Sequence, residues 1–176
     1  MARPVDRNAI DRLVVEHLPA VLRMALRLSG DPHVAEDIVQ ETLCRALNQW
    51  PRFRGESSFK TWMLKILVNV DRDRRRRLRP YQPIKEDDVA DREATASEQA
   101  AAAELNIDVR TAVDRLPERQ REVALLSWGE GLAAGEVAGV LGITEANVYA
   151  TLHLVRKRIA QAIGVDHARL DRHERT

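Results

Sequence analysis

Sulfur and aromatic rings are scarce in this sequence. A single cysteine, Cys44, excludes an intrachain disulfide, and its place inside a helical apolar pattern predicts a buried, reduced thiol. Aromatic residues are 4% of 176 positions while charged residues are 31%, a balance that suits an all-helical protein rich in Ala, Leu, Arg and Glu. No apolar run approaches membrane-spanning length and no signal-peptide pattern opens the chain, so a cytoplasmic protein without membrane insertion is expected. There is no internal repeat and no G-x-x-x-x-G-K phosphate loop. His167 and His173 sit in a polar tail without cysteine partners, and Cys44 has no helper pattern. Neither a metal, a cofactor nor an enzymatic activity is therefore expected.

The charge that is present is unevenly placed. Residues 1–79 carry sixteen Lys/Arg against ten Asp/Glu, residues 80–108 two against eight, and residues 109–176 ten against nine. A basic half, an acidic middle and a near-neutral end predict three parts with different neighbours. The length suffices for one ordinary domain or two small ones.

Helical periodicity fills the basic half. Ile10, Leu13, Val14, Leu18, Val21, Leu22, Ala25 and Leu28 recur at helical spacing, with Pro19 placed to kink or divide the helix. Ser29-Gly30-Asp31-Pro32 is a stop followed by a start. In the next helix Ala35, Ile38, Val39, Thr42, Leu43, Ala46, Leu47 and Trp50 form the apolar stripe, leaving Asp37, Gln40 and Glu41 as a polar, acidic patch. The loop 51–58 offers an exposed Phe53 and two capping serines, Ser57 and Ser58. The helix after it buries Phe59, Trp62, Met63, Ile66, Leu67 and Val70 and runs into "RDRRRRLR". Residues 80–104 are acidic, carry Pro80 and Pro83, and lack an apolar stripe, as in a linker.

The rest of the chain closes on two short helices joined at Gly142. That is a helix-turn-helix: glycine allows the turn, Thr144 caps the second helix, and Val148, Leu152, Val155 and Ile159 form its one buried stripe. The opposite face centres on Ala146, Ala150, His153 and Lys157, with Asn147, Tyr149 and Leu154 beside it. A helix of this shape suits the DNA major groove; a plain helical hairpin within a core is the alternative.

The segments "AEDIVQETLCRAL", "FRGESSFKTWMLKILVNVDRDRRRR" and "LPERQREVALLSWGEGLAAGEVAGVLGITEANVYATLHLVRKRI" resemble the extracytoplasmic-function (ECF) sigma factors of bacterial RNA polymerase. The resemblance implies an all-α fold with region 2 over residues 1–79, an acidic flexible linker over 80–104, and region 4 with a polar tail over 105–176. It implies core polymerase as partner, through the β′ clamp and β flap, together with promoter DNA; an anti-sigma factor is a further partner common in the family. Asp37, Gln40 and Glu41 match the pattern that docks on the clamp. Phe53, Arg54, Ser57, Lys60, Trp62, Lys65, Asn69, Asp73, Arg74 and Arg76 fall where the family reads and melts the −10 element, although Trp62 equally suits the core. Thr144, Asn147, Tyr149, Ala150, His153, Arg156 and Lys157 fall on the −35 reader.

Two departures from the family follow. Asp71, Arg72 and Arg75 replace residues that are often apolar, which predicts a more solvated last turn. Tyr149, Thr151 and Leu154 stand where the family is usually basic, so contacts to phosphate and guanine are expected to be fewer. The linker would imitate RNA in a basic polymerase channel, or act only as a solvated spacer. A helix-turn-helix regulator independent of polymerase is the competing function.

Overall fold

The computed structural model describes residues 7–78 and 109–163, all of whose regular structure is helical. The expectations placed on residues 80–104 and on the polar tail lie outside the described residues. Helix α1 spans Arg7–Ser29, α2 Pro32–Gln49 and α3 Phe59–Leu78. A helical stretch at 109–114 is here α4. Helix α5, Glu118–Ala124, runs into a π-helical turn at Leu125–Gly129, and α6 (Ala134–Leu141) and α7 (Glu145–Ala162) follow.

Pro19 neither divides nor ends α1, which is continuous across it. The carbonyl that a proline at this position strands belongs to Val15, one turn earlier, and Val15 is largely exposed, so water can take that bond. Asp31 caps α2, accepting hydrogen bonds from the amides of His33 (2.8 Å) and Val34 (3.1 Å), with Pro32 in the first turn where its missing N–H costs nothing. Those amides, Val34 foremost, hold the Asp31 carboxyl below its usual range.

α1, α2 and α3 pack on one another around Met24, Leu28, Ile38, Met63, Leu64 and Leu67, each at most 1% exposed. The apolar stripes are narrower than the periodicity predicts. Leu18 and Leu22 of α1 and Leu47 of α2 remain substantially exposed, and Cys44 is exposed rather than buried. On α2 the buried residues are Ala35, Ile38, Val39, Thr42 and Ala46, and Cys44 points away from that set.

The helix-turn-helix is built by local rules. Gly142 adopts φ +67°, the left-handed conformation that ends α6, and its amide donates to the carbonyl of Ala138 at 2.8 Å. The Thr144 hydroxyl accepts from the amide of Asn147 at 3.2 Å. Val148 and Val155 are fully buried and Leu152 nearly so. The two halves of the chain also share one core: Val137, Ala138, Val140 and Leu141 of α6 join the cluster of α1 to α3, and α6 lies directly on α3.

Candidate nucleic-acid and polymerase interfaces

Three surfaces carry the predicted site residues. The first is the outer edge of α2, where Asp37, Gln40 and Glu41 are all exposed. Glu41 accepts from Arg45 Nε at 2.7 Å one turn further on, and the same guanidinium donates through Nη1 to Asp73 of α3 at 2.9 Å. Asp73, and after it Glu41, strengthens the positive charge of Arg45, and the Arg45 hydrogen bond holds the Asp73 carboxyl below its usual range. Arg45 therefore ties the acidic patch to the predicted DNA-reading helix. Its spacing of four from Glu41 was visible in the sequence; its bond across to Asp73 was not.

The second surface lies along α3 and the loop before it. Four of the seven aromatic residues meet here. Phe53 packs 4.8 Å from Trp62 and 5.5 Å from Trp50 between ring centroids, and Phe59 lies 5.5 Å from Trp62. Phe53 is thus half-buried in an aromatic cluster rather than freely exposed. Gly55 turns the loop with φ +73°, and Ser58 caps α3 by accepting from the amide of Thr61 at 3.1 Å. Arg54 and Ser57 are exposed. A cavity of about 300 Å³ opens between α2 and α3, lined by Arg45, Gln49, Trp62, Lys65, Ile66 and Asn69. It brings together a half-buried indole, two cations and two amides, the chemistry that stacks a base, neutralises its phosphate and reads its edge. Trp62, Lys65 and Asn69 belong to this cavity, and Asp73 continues their helix face.

Other basic residues of α3 turn elsewhere. Lys60 donates to the carbonyl of Glu130 at 2.6 Å and lies 3.3 Å from its carboxylate. Arg72 grips Glu122 with Nε at 3.0 Å and Nη2 at 2.5 Å, and Arg75 donates to the same carboxylate at 3.0 Å. Asp71 is fully buried beside Arg75, whose Nη2 lies 2.8 Å away. The solvated last turn predicted for Asp71, Arg72 and Arg75 is therefore incorrect: that face of α3 is covered by α5. Arg74, Arg76 and Arg77 keep outward positions, with Arg76 and Arg77 exposed. In the sequence Glu118, Glu122, Glu130 and Glu136 read as ordinary helix-face and turn acids, with no local pattern that marks them as partners of α1 and α3.

The third surface is the outer face of α7. Thr144, Asn147, Tyr149, Ala150, His153, Leu154 and Lys157 are exposed. Arg156 is half-buried, with its guanidinium 5.7 Å from the ring centroid of Trp128. Between Thr144 and Val155 the helix carries no Lys or Arg. It offers an amide, an imidazole and an apolar patch of Tyr149 and Leu154.

Among the described residues no helix is long and apolar enough to cross a membrane. The family model for Sigma-70 region 2 matches residues 13–80, and that for Sigma-70, region 4 matches residues 106–159. The ECF RNA polymerase sigma factor SigL of Mycobacterium tuberculosis is 33% identical over 141 residues, covering 78% of this chain and 79% of the relative. The ECF RNA polymerase sigma factor EcfG of Rhodopseudomonas palustris is 28% identical over 156 residues, covering 88% and 85%. Among solved structures, the sigma factor RpoE of Bartonella quintana, in complex with the anti-sigma factor NepR, superimposes with a TM-score of 0.67 at 25% identity, covering 90% of this chain and 99% of that one.

Proposed function

This chain belongs to the ECF sigma factors of bacterial RNA polymerase, and from that membership we propose how its surfaces divide the work of initiation. The exposed acids of α2, Asp37 and Glu41 with Gln40 between them, dock on the polymerase β′ clamp. The loop 53–58 and the α2–α3 cavity capture the non-template strand of the −10 element. The outer face of α7 places the −35 element, with the β flap as the polymerase surface beside it. The protein acts in the cytoplasm, as an initiation factor that makes and breaks no covalent bond.

The α2–α3 cavity is the observation that carries this reading. An extruded base needs a ring to stack on, a cation for its phosphate and donors or acceptors for its edge. Trp62, Lys65 and the amides of Asn69 and Gln49 supply all three around one opening. A regulator acting without polymerase has no use for melted DNA, and none for the acidic edge of α2.

Run-off transcription with core polymerase, followed by permanganate footprinting, tests the assignment. Trp62→Ala and Asn69→Ala are expected to reduce opening of the −10 region at least tenfold while holoenzyme assembly stays near wild type. Stacking contributes about 1–3 kcal/mol per base, so the indole alone accounts for a loss of that order. Equal opening by both variants and wild type would remove the cavity from the mechanism.

A further inference from the structure

Arg45 of α2 belongs to two surfaces at once. It donates through Nε to Glu41 at 2.7 Å and through Nη1 to Asp73 of α3 at 2.9 Å. It also lines the α2–α3 cavity, beside Gln49, Trp62, Lys65 and Asn69. Its side chain is 28% exposed, against 50% for Glu41 and 36% for Asp73. Ion pairs this open to water add little to the stability of a fold. What the two carboxylates do change is the chemistry of the cavity wall.

A free guanidinium is the side-chain group best matched to guanine, whose O6 and N7 accept its two parallel N–H groups. Thymine presents a carbonyl oxygen on the same edge, whereas adenine and cytosine carry an amino group there. Arg45 has no such fork to offer. The side edge of a guanidinium pairs Nε with Nη2, and Nε is engaged by Glu41; the end edge pairs Nη1 with Nη2, and Nη1 is drawn to Asp73. The same two acids offset its charge. Lys65, which is exposed, is left as the cation for a strand phosphate. The base edge is left with the amides of Gln49 and Asn69 and with the carboxylates beside them. Amides pair with the amino group and ring nitrogen of adenine, and carboxylates accept from the amino group of cytosine.

We propose that Glu41, Arg45 and Asp73 form a specificity gate on the α2–α3 cavity: the two acids hold back the guanidinium that would read guanine, so the cavity takes adenine or cytosine and rejects guanine and thymine. Asp73 is the principal holder, because Glu41 is also the acid assigned to the polymerase clamp and Asp73 is not. The gate rests on the reading of this cavity as the site of strand capture and adds the class of base captured.

The test uses holoenzyme assembled with the full chain. It is offered duplex DNA with a pre-melted −10 segment whose non-template strand is randomised, and the bound molecules are sequenced. The position at which enrichment disappears in Trp62→Ala is the base held in the cavity. At that position the unaltered chain is expected to enrich adenine or cytosine about tenfold or more over guanine. Asp73→Ala removes the acceptor at a partly exposed helix position that alanine suits. It should raise guanine about tenfold relative to adenine and cytosine, as one freed two-pronged contact would give. Adding Arg45→Gln to Asp73→Ala should abolish that gain. Three results overturn the gate and leave capture by the cavity standing: guanine or thymine enriched by the unaltered chain, an unchanged base preference in Asp73→Ala, or a guanine gain that survives Arg45→Gln. A merely structural role for Asp73 would lower the binding of all four bases alike, which is the second of these. If no position responds to Trp62→Ala, the reading of the cavity itself fails, and the gate with it.

Discussion

Asp71 and Asp73 stand two positions apart on α3 and meet opposite fates. Burial raises the Asp71 carboxyl above its ordinary range, against the pull of Arg75, whereas Arg45 draws the Asp73 carboxyl below it. For Asp73, the stabilising share is present above the unfolded-state pKa and fades as pH falls through the lower folded-state value. For Asp71 the sign reverses: the folded chain binds the proton more tightly than the unfolded chain, so its charge opposes folding above the folded-state pKa, and lowering the pH relieves it. Asp71→Asn is expected to raise the melting temperature at neutral pH, because Arg75 keeps Glu118 and Glu122 as partners. The gain should shrink as the pH is lowered into the range where Asp71 takes up its proton. A series of thermal melts across pH reads both effects, and a gain independent of pH would exclude the titration of Asp71 as the cause. None of this was legible locally. Charged residues in a last turn read as solvated, and the acids that cover them lie about fifty positions away, at Glu118 and Glu122.

At the scale of the element, local chemistry was legible and breadth was not. Gly142, Thr144 and the stripe of Val148, Leu152 and Val155 followed from backbone sterics, capping and period, all of which act within a few residues. Cys44, Leu18 and Leu22 did not, because the width of a buried stripe depends on how closely neighbouring helices approach. Of the candidate sites, the acidic edge of α2 and the outer face of α7 were legible, since exposed faces follow from the same period; the cavity needed Arg45 and Gln49 from a second helix. Two expectations belong here. Asp37→Lys with Glu41→Lys should weaken pull-down of core polymerase at least tenfold while circular dichroism remains helical; an unchanged pull-down would move the docking surface off α2. On α7, Tyr149→Arg with Leu154→Arg should tighten binding of the full chain to duplex DNA and steepen the salt slope by about one unit per added phosphate contact. An arginine on that face should also shift the preferred bases toward guanine. A steep slope for the unaltered chain, whose reading face carries no Lys or Arg between Thr144 and Val155, would mean that another face of α7 meets the DNA.

For the whole molecule, the shared core makes a thermodynamic statement. Leu64 and Leu67 of α3 and Val137 and Leu141 of α6 belong to one buried cluster, so the two halves should unfold together. Calorimetry is expected to show one transition for the unaltered chain. Two transitions already present in the unaltered chain would mean that the halves are independent. The contact between the halves has a consequence in time as well. Thirty residues separate Leu78 from Val109, and two halves of one chain meet without a diffusional encounter. Closure is then unimolecular, while capture by polymerase depends on how much free enzyme the cell holds. A factor released from a promoter would reclose before it met another polymerase. The rate of capture would then be the open fraction multiplied by the concentrations of factor and of unoccupied enzyme, so the contact scales that rate without changing its dependence on either.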